Sequence, residues 1–448
     1  MNPLLAALIA VGVNASAAIL AHVAPRSESR MPTIAGAVIT VGAAALCAIP
    51  VLIHGQYPSL ILGPLAFKAD ALAATMMLPL ALAVGATALG LPRKMASPRA
   101  MVAISAALAA AILATVADNT LTLLLAELAG GLAIAHGLDD TRRAGRSVLA
   151  LSGLFALAAG GLAIAQHSLL DTFSVGTSLP VAMLLLMAVV TRMGALPMQS
   201  GLTRTLAGRT DASGVLLVAP IGGVTVLIRL VQPTLAAVPE ATALVVAGLA
   251  GAALAALMAI AAQDLGRSAA WTVAALHGLM LAGTLDGAQT GSLGGELLWA
   301  ALILSEVGFI LAIAMVTRRL GPVDLRNLHG LHTAAPRLSL GFLLMALSIA
   351  GLPGTLEFVA EDVLLNGATS GGILATLLTV VTLAAVGFNA LRLTFCVFYG
   401  PAASEGVDMD IRPRERVALM ALVAVVLLGG IAPSLLPLVA STARAAGH

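Results

Sequence analysis

Five ionisable side chains sit inside apolar runs, where an isolated charge is costly. Glu127 lies in the middle of NTLTLLLAELAGGLAIA, and Arg192 closes VVTRM just before GALP. His277 falls in WTVAALHGLM and Glu306 in LILSEVGFILAIAM. Glu361 follows GLPG, with Asp362 beside it and Glu357 one turn earlier. Ionisable groups at bilayer depth are paired or hydrated, and they mark ion paths. Carboxylates exchange protons, and an imidazole does so near neutral pH. A guanidinium keeps its charge, so Arg192 can hold a carboxylate ionised but cannot itself pass a proton on. If Glu127 and Arg192 approach, they neutralise one another and form a two-state element that alters the groups coupled to it. Two roles stay open for Arg192: structural counter-ion, or sensor of a moving neighbour.

Elements must then bring these groups to one place. Pro197 follows Arg192 by five residues, and Pro353 lies in the GLPG at 351–354. Proline removes a backbone donor and frees carbonyls, which need water or polar side chains in a protein-lined cavity. Two broken helices at similar positions in two halves of a chain point to an inverted repeat with its ion path at the midplane.

Composition agrees. The 448 residues are 60% hydrophobic and only 10% charged, with a mean hydropathy of +1.04, whereas soluble domains carry about a quarter charged residues. The reading is an all-α polytopic membrane protein without a soluble domain. Apolar stretches long enough to cross a bilayer fall near 3–22, 33–53, 70–90, 100–117, 119–136, 147–165, 179–198, 212–231, 240–262, 269–285, 294–317, 338–358, 372–398 and 416–437, about 14 spans. Within 1–448 the segments are N-terminal helices (1–116), a first half-channel repeat (117–262), a second (263–400), and a C-terminal loop and helix (401–448). The first 22 residues lack a basic leader, so they are taken as a span and not a removable signal.

Charge placement tests the count. Arg26, Arg30, Arg93, Lys94, Arg99, Arg142, Arg143, Arg146, Arg204, Arg209, Arg267, Arg318, Arg319, Arg326, Arg337, Arg412, Arg414 and Arg416 follow odd-numbered spans, whereas Lys68 is the one basic residue in the other loops. By the positive-inside rule both termini face the periplasm of a bacterial cell inner membrane. The net charge of +2 gives no reason to expect a nucleic-acid partner. Cys47 and Cys396 both lie in apolar runs, which indicates neither a disulfide framework nor a metal site. No cofactor fingerprint is present.

In order, several segments resemble the antiporter-like subunits of respiratory complex I and of multi-subunit cation/proton antiporters. They are LGPLAFKADALAATMMLPLAL (62–82), ADNTLTLLLAEL (117–128), TRMGALPMQSGL (191–202), DLGRSAAWTVAALHGLM (264–280), VDLRNLHGLHTAAP (323–336), ALSIAGLPGTLEFVAED (346–362) and NALRLTFCVFYG (389–400). The resemblance places Glu127 on the fifth-span signature glutamate, Arg192 on a seventh-span lysine, and Gln199 on a histidine two places after the proline. His277 falls one place beyond the usual His or Gln. Glu361 matches the subtype with glutamate there. The departures are pointed: an eighth-span lysine aligns near Ile221, and Ser305–Glu306 stands where Lys or His is usual.

The resemblance implies a proton-conducting subunit with Glu127, Arg192, His277, Glu306, Glu361 and Asp362 along the path. It would work with other protein subunits of a membrane complex, moving protons (or sodium), and any redox chemistry would reside in those subunits. The nearest alternative is the membrane half of a dissolved-inorganic-carbon accumulator with a cytoplasmic, carbonic-anhydrase-like zinc partner. A solitary secondary carrier ranks third, since no additional midplane substrate pocket is evident.

Overall fold

The computed structural model describes residues 2–25, 28–54, 58–91, 97–138, 143–171, 173, 177–206, 222–236, 238, 241–286, 289–401 and 409–446. Helices dominate: α1 Pro3–Val23, α2 Arg30–His54, α3 Ala71–Gly90, α4 Pro98–Val116, α5 Thr120–Gly137, α6 Arg143–Ala165, α7 Leu179–Met193 and α8 Ser200–Leu206. They continue as α9 Val224–Leu235, α10 Ala241–Ala261, α11 Leu265–Leu285, α12 Gln289–Leu320, α13 Pro336–Ile349, α14 Leu356–Ser370, α15 Ile373–Phe398, α16 Pro413–Ile431 and α17 Pro437–Ala446.

Polar residues at the edges of the apolar runs set where helices start. The side chains of Asp70, Ser97, Asn119, Asp264 and Thr355 each accept from the backbone N–H three residues on, capping α3, α4, α5, α11 and α14. Such caps satisfy donors that the first turn leaves unpaired.

Ten of the described helices are long and apolar enough to cross a membrane, four fewer than the expected count. One of the four, α16, carries Arg414, Glu415 and Arg416 in its first turn, and the other three fall at a stretch outside the described residues and at the two helix breaks. Residues 207–221, which hold half of the expected eighth span and Ile221, lie outside the described residues. The expected 179–198 span stops as a helix at Met193, and the expected 338–358 span stops at Ile349. Helix resumes only at Ser200 and at Leu356. Both breaks turn through glycines with left-handed backbone, Gly194 (φ 63°) and Gly351 (φ 69°), a region costly for other residues. Pro197 and Pro353 lie in the non-helical connections. A further difference is a small antiparallel hairpin, Ser59–Leu62 paired with Leu65–Lys68, so the fold is not purely helical.

The core is organised around α12, whose apolar window is buried throughout. It packs against α3, α11, α13, α14 and α16. Helix α11 is almost as enclosed and packs on α10. On the arginine-rich face, Glu415 is fully buried and accepts from Arg318 (3.3 Å) and Arg319 (3.0 Å), tying the end of α12 to the start of α16. In the connection before α13, the Arg326 guanidinium hydrogen-bonds the exposed Asp324 and holds its carboxyl down to about 2.

Candidate functional site

The first pair joins α5 to α7. Arg192, in the last turn of α7, donates through one nitrogen, Nη1, to Glu127 Oε2 at 3.0 Å and to the Glu127 backbone carbonyl at 2.9 Å. The two side chains are 11% and 7% exposed. At that burial neither charge is tolerable without the other. A cation in a helix's last turn also meets the negative end of its dipole.

Gly222 presses against this pair. A Cβ there would stand 2.5 Å from Arg192 Nη2 and 3.0 Å from Glu127 Oε2. Gly222→Ala is therefore expected to push the guanidinium away without changing any charge. Overpacking of this kind costs about 1–3 kcal/mol, to be read as a lower unfolding midpoint in detergent. An unchanged midpoint would show that the pair has slack.

The second pair lies on the two most buried helices. His277 on α11 and Glu306 on α12 are both fully buried. His277 Nδ1 is 2.6 Å from the Met193 carbonyl oxygen, and Nε2 is 3.0 Å from Glu306 Oε2. A carbonyl only accepts, so Nδ1 carries a proton. The Nε2···Oε2 contact then needs one more, either on nitrogen facing a carboxylate or on oxygen facing a neutral imidazole. The two forms have the same net charge and differ by one short proton transfer. Met193 is the residue after Arg192 and the last of α7, so its carbonyl is among those the helix end leaves free. One residue of backbone thus links the Glu127–Arg192 pair to the His277–Glu306 pair.

Two more carboxylates sit on α14 beyond the second break. Glu357 is fully buried and accepts from the Ser348 hydroxyl at the end of α13. Glu361 is buried against the break itself: a Cβ on Gly351 would stand 2.0 Å from Glu361 Oε2, so only glycine leaves room for the carboxylate. Glu127, Glu306, Glu357 and Glu361 each keep one buried oxygen with no hydrogen-bond partner among the described residues. An unmet buried acceptor costs about 1–3 kcal/mol, a penalty that water or a proton relieves.

Of the residues expected from the sequence, Glu127, Arg192, His277 and Glu306 come together as one connected set, with Glu361 following on α14. Asp362 does not join them, because it is exposed on α14 while its neighbour Glu361 points inward. Glu357, noticed in the sequence only as a neighbour, belongs inside. Sequence reasoning missed a further ion pair, Arg229 to Asp70 at 2.9 Å, with Arg229 also bonding the Thr115 carbonyl and lying 5.6 Å from the Phe173 ring centre. Its one signal was the cap-like position of Asp70 before an apolar run.

Two clefts approach the set. One, of about 670 Å³, lies between α5, α6 and α7, is lined by Leu128, Leu132 and Leu157, and holds Glu127, Arg192 and Arg146. The other, of about 570 Å³, opens between α10, α11, α14 and α15 at the ends remote from the arginine-rich connections.

Comparison with known proteins agrees with this architecture. Subunit M of the Pseudomonas aeruginosa NADH-quinone oxidoreductase is 27% identical over 231 residues, which is 51% of this chain and 44% of that protein. The chain thus spans less than half the length of that curated relative. A chain of the Mrp complex from Dietzia sp. DQ12-45-1b superposes with a TM-score of 0.82 at 19% identity, covering 98% of this chain and 52% of that one. A chain of respiratory complex I from Thermus thermophilus superposes with a TM-score of 0.80 at 20% identity, covering 98% of this chain and 99% of that one. At such identities the superpositions speak for the fold alone. The family model for the membrane part of NADH:quinone oxidoreductase and Mrp antiporter proteins matches residues 141–387, more than half of the chain, and the chain belongs to that family.

Proposed function

We propose that this chain conducts protons across a bacterial inner membrane as an antiporter-like subunit of a larger complex, with both termini on the periplasmic side. The observation that carries the reading is the unbroken contact series Glu127, Arg192, the Met193 carbonyl, His277 and Glu306. Its relatives are named as subunits of an NADH-quinone oxidoreductase and of an Mrp complex, and oxidation–reduction chemistry is assigned to partner subunits of that kind. The chain is divided into half-channels at 117–262 and 263–400, related as an inverted repeat about the two helix breaks.

In this reading the roles divide by chemistry. Arg192 stays charged and is the counter-ion in contact with Glu127. A partner that moves charge near Glu127 changes how firmly Arg192 is held, and the end of α7 transmits that change to His277 through the Met193 carbonyl. His277 and Glu306 exchange the shared proton, and Glu357 and Glu361 carry it past the second break. The unpartnered oxygens of the four glutamates are the points at which water would join the file.

The test keeps the complex whole. Glu127→Gln removes a titrating group but preserves size and hydrogen bonding. The variant is expected to co-purify with the same partner subunits as the unaltered chain and to lose gradient-linked proton uptake in inverted membrane vesicles. Uptake at the unaltered rate would remove Glu127 from the path. The co-purified partners also decide between a respiratory assembly and a cytoplasmic zinc protein acting on inorganic carbon.

A further inference from the structure

We infer that the cleft between α10, α11, α14 and α15 is an aqueous mouth for the ion path, and that Leu364 is the apolar gate separating it from Glu361. This rests on the reading of Glu361 as a relay carboxylate. The cleft holds about 570 Å³ and carries polar groups from four elements: Thr242, Asp286, Ser370 and Thr379. It sits at the start of α10, the end of α11, the end of α14 and the start of α15. All four ends lie remote from Arg267, Arg318 and Arg337, so the cleft faces away from the arginine-rich side.

Leu364 lines this cleft and is only 2% exposed. It follows Glu361 by three residues on α14, which puts the two side chains on one helix face, about 4.5 Å apart along the axis. Glycines let two helices close on this residue. A Cβ on Gly283 of α11 would stand 2.7 Å from Leu364 Cδ1, and a Cβ on Gly294 of α12 would stand 2.5 Å from the Leu364 backbone nitrogen. Helix α11 therefore presses on the side chain, while α12 packs directly on the backbone that carries it. One turn earlier on the same helix, Glu361 keeps a buried oxygen with no partner among the described residues. A hydrated mouth, a single tightly packed leucine and a carboxylate in series make a gate: water reaches the cleft, and a proton reaches Glu361 only when α14 shifts Leu364 away from these glycines.

Thiol accessibility tests this without relying on proton conduction. The full-length chain, carrying Cys47→Ala and Cys396→Ala, is placed in vesicles and exposed to a membrane-impermeant methanethiosulfonate cation, with modification followed by intact mass. Ala368→Cys, on the cleft wall, is expected to react readily. Glu361→Cys is expected to resist while Leu364 is present, and to react at least about tenfold faster when combined with Leu364→Ala or the similarly sized, polar Leu364→Asn. Equal reaction of Glu361→Cys with and without Leu364 would overturn the gate, as would its continued resistance in both Leu364 variants. Protection of Ala368→Cys would overturn the aqueous mouth. If proton uptake survives Glu361→Gln yet the accessibility pattern holds, the relay reading of Glu361 fails and the mouth and gate stand.

Discussion

Glu306→Gln is expected to lower voltage-driven proton flux by about a hundredfold, the lower range for loss of a positioned acid–base group, with little change in thermal stability. The amide is nearly the same size as the carboxyl and can still hydrogen-bond His277, which sits 3.0 Å away in a fully buried site. What it cannot do is take the proton that the pair shares. Flux is measured in vesicles loaded with a pH-sensitive dye and energised by a potassium diffusion potential. A Glu306→Gln protein that unfolds at the unaltered temperature but conducts as fast as the unaltered chain would take Glu306 out of the path and leave it a packing group.

The second large effect concerns stability. Arg192→Met strips the buried Glu127, 7% exposed, of the guanidinium that contacts it among the described residues. Breaking a buried pair in this way costs roughly 3–5 kcal/mol. Adding Glu127→Gln removes the stranded charge, so the double variant is expected to recover most of that loss while remaining inactive in transport. The cycle reads the coupling directly, because neighbours that share a contact depart from additivity. Arg192→Lys is expected to keep much of the stability, since both contacts to Glu127 come from a single nitrogen and an ammonium has donors enough for both. It also places at that position a group able to release its proton when buried. Thermal unfolding in detergent checks the unaltered chain, Arg192→Met, Glu127→Gln, their combination and Arg192→Lys, and equal midpoints for Arg192→Met and the unaltered chain would contradict the pairing energy.

Much of the path was legible because charges are conspicuous in an apolar chain. Glu127 and Arg192 stand out by the cost of their surroundings, and opposite sign named them as partners. The helix breaks at Gly194–Pro197 and Gly351–Pro353 were legible from proline and glycine chemistry, although proline marked them four residues late: α7 ends at Met193, where the backbone first turns left-handed. The link between the pairs was not legible, because it runs through a backbone carbonyl that every residue possesses. Only the meeting of α7 with α11 distinguishes that of Met193. Asp362 and Glu361 look alike in sequence; a rotation of about 100° between consecutive helical residues puts one outside and one inside. Arg229 and Asp70 were overlooked because each sits near a span end, where charge is cheap. The hairpin at 59–68 is too short and too exposed on its first strand to leave a period-2 signal.

The central claim is that groups on α5, α11, α12 and α14 form one proton-exchanging set, coupled through Arg192 at the end of α7. Infrared difference spectroscopy during a pH titration measures this most directly, by assigning each protonated carboxyl band through Glu→Gln replacement. Connected sites titrate as a set, so Glu127→Gln is expected to shift the titration of the Glu306 band, across the Arg192 and His277 contacts. A Glu306 band that titrates identically with and without the Glu127 carboxyl would mean that the two pairs are separate, and that the buried charges brace the bundle instead of conducting through it.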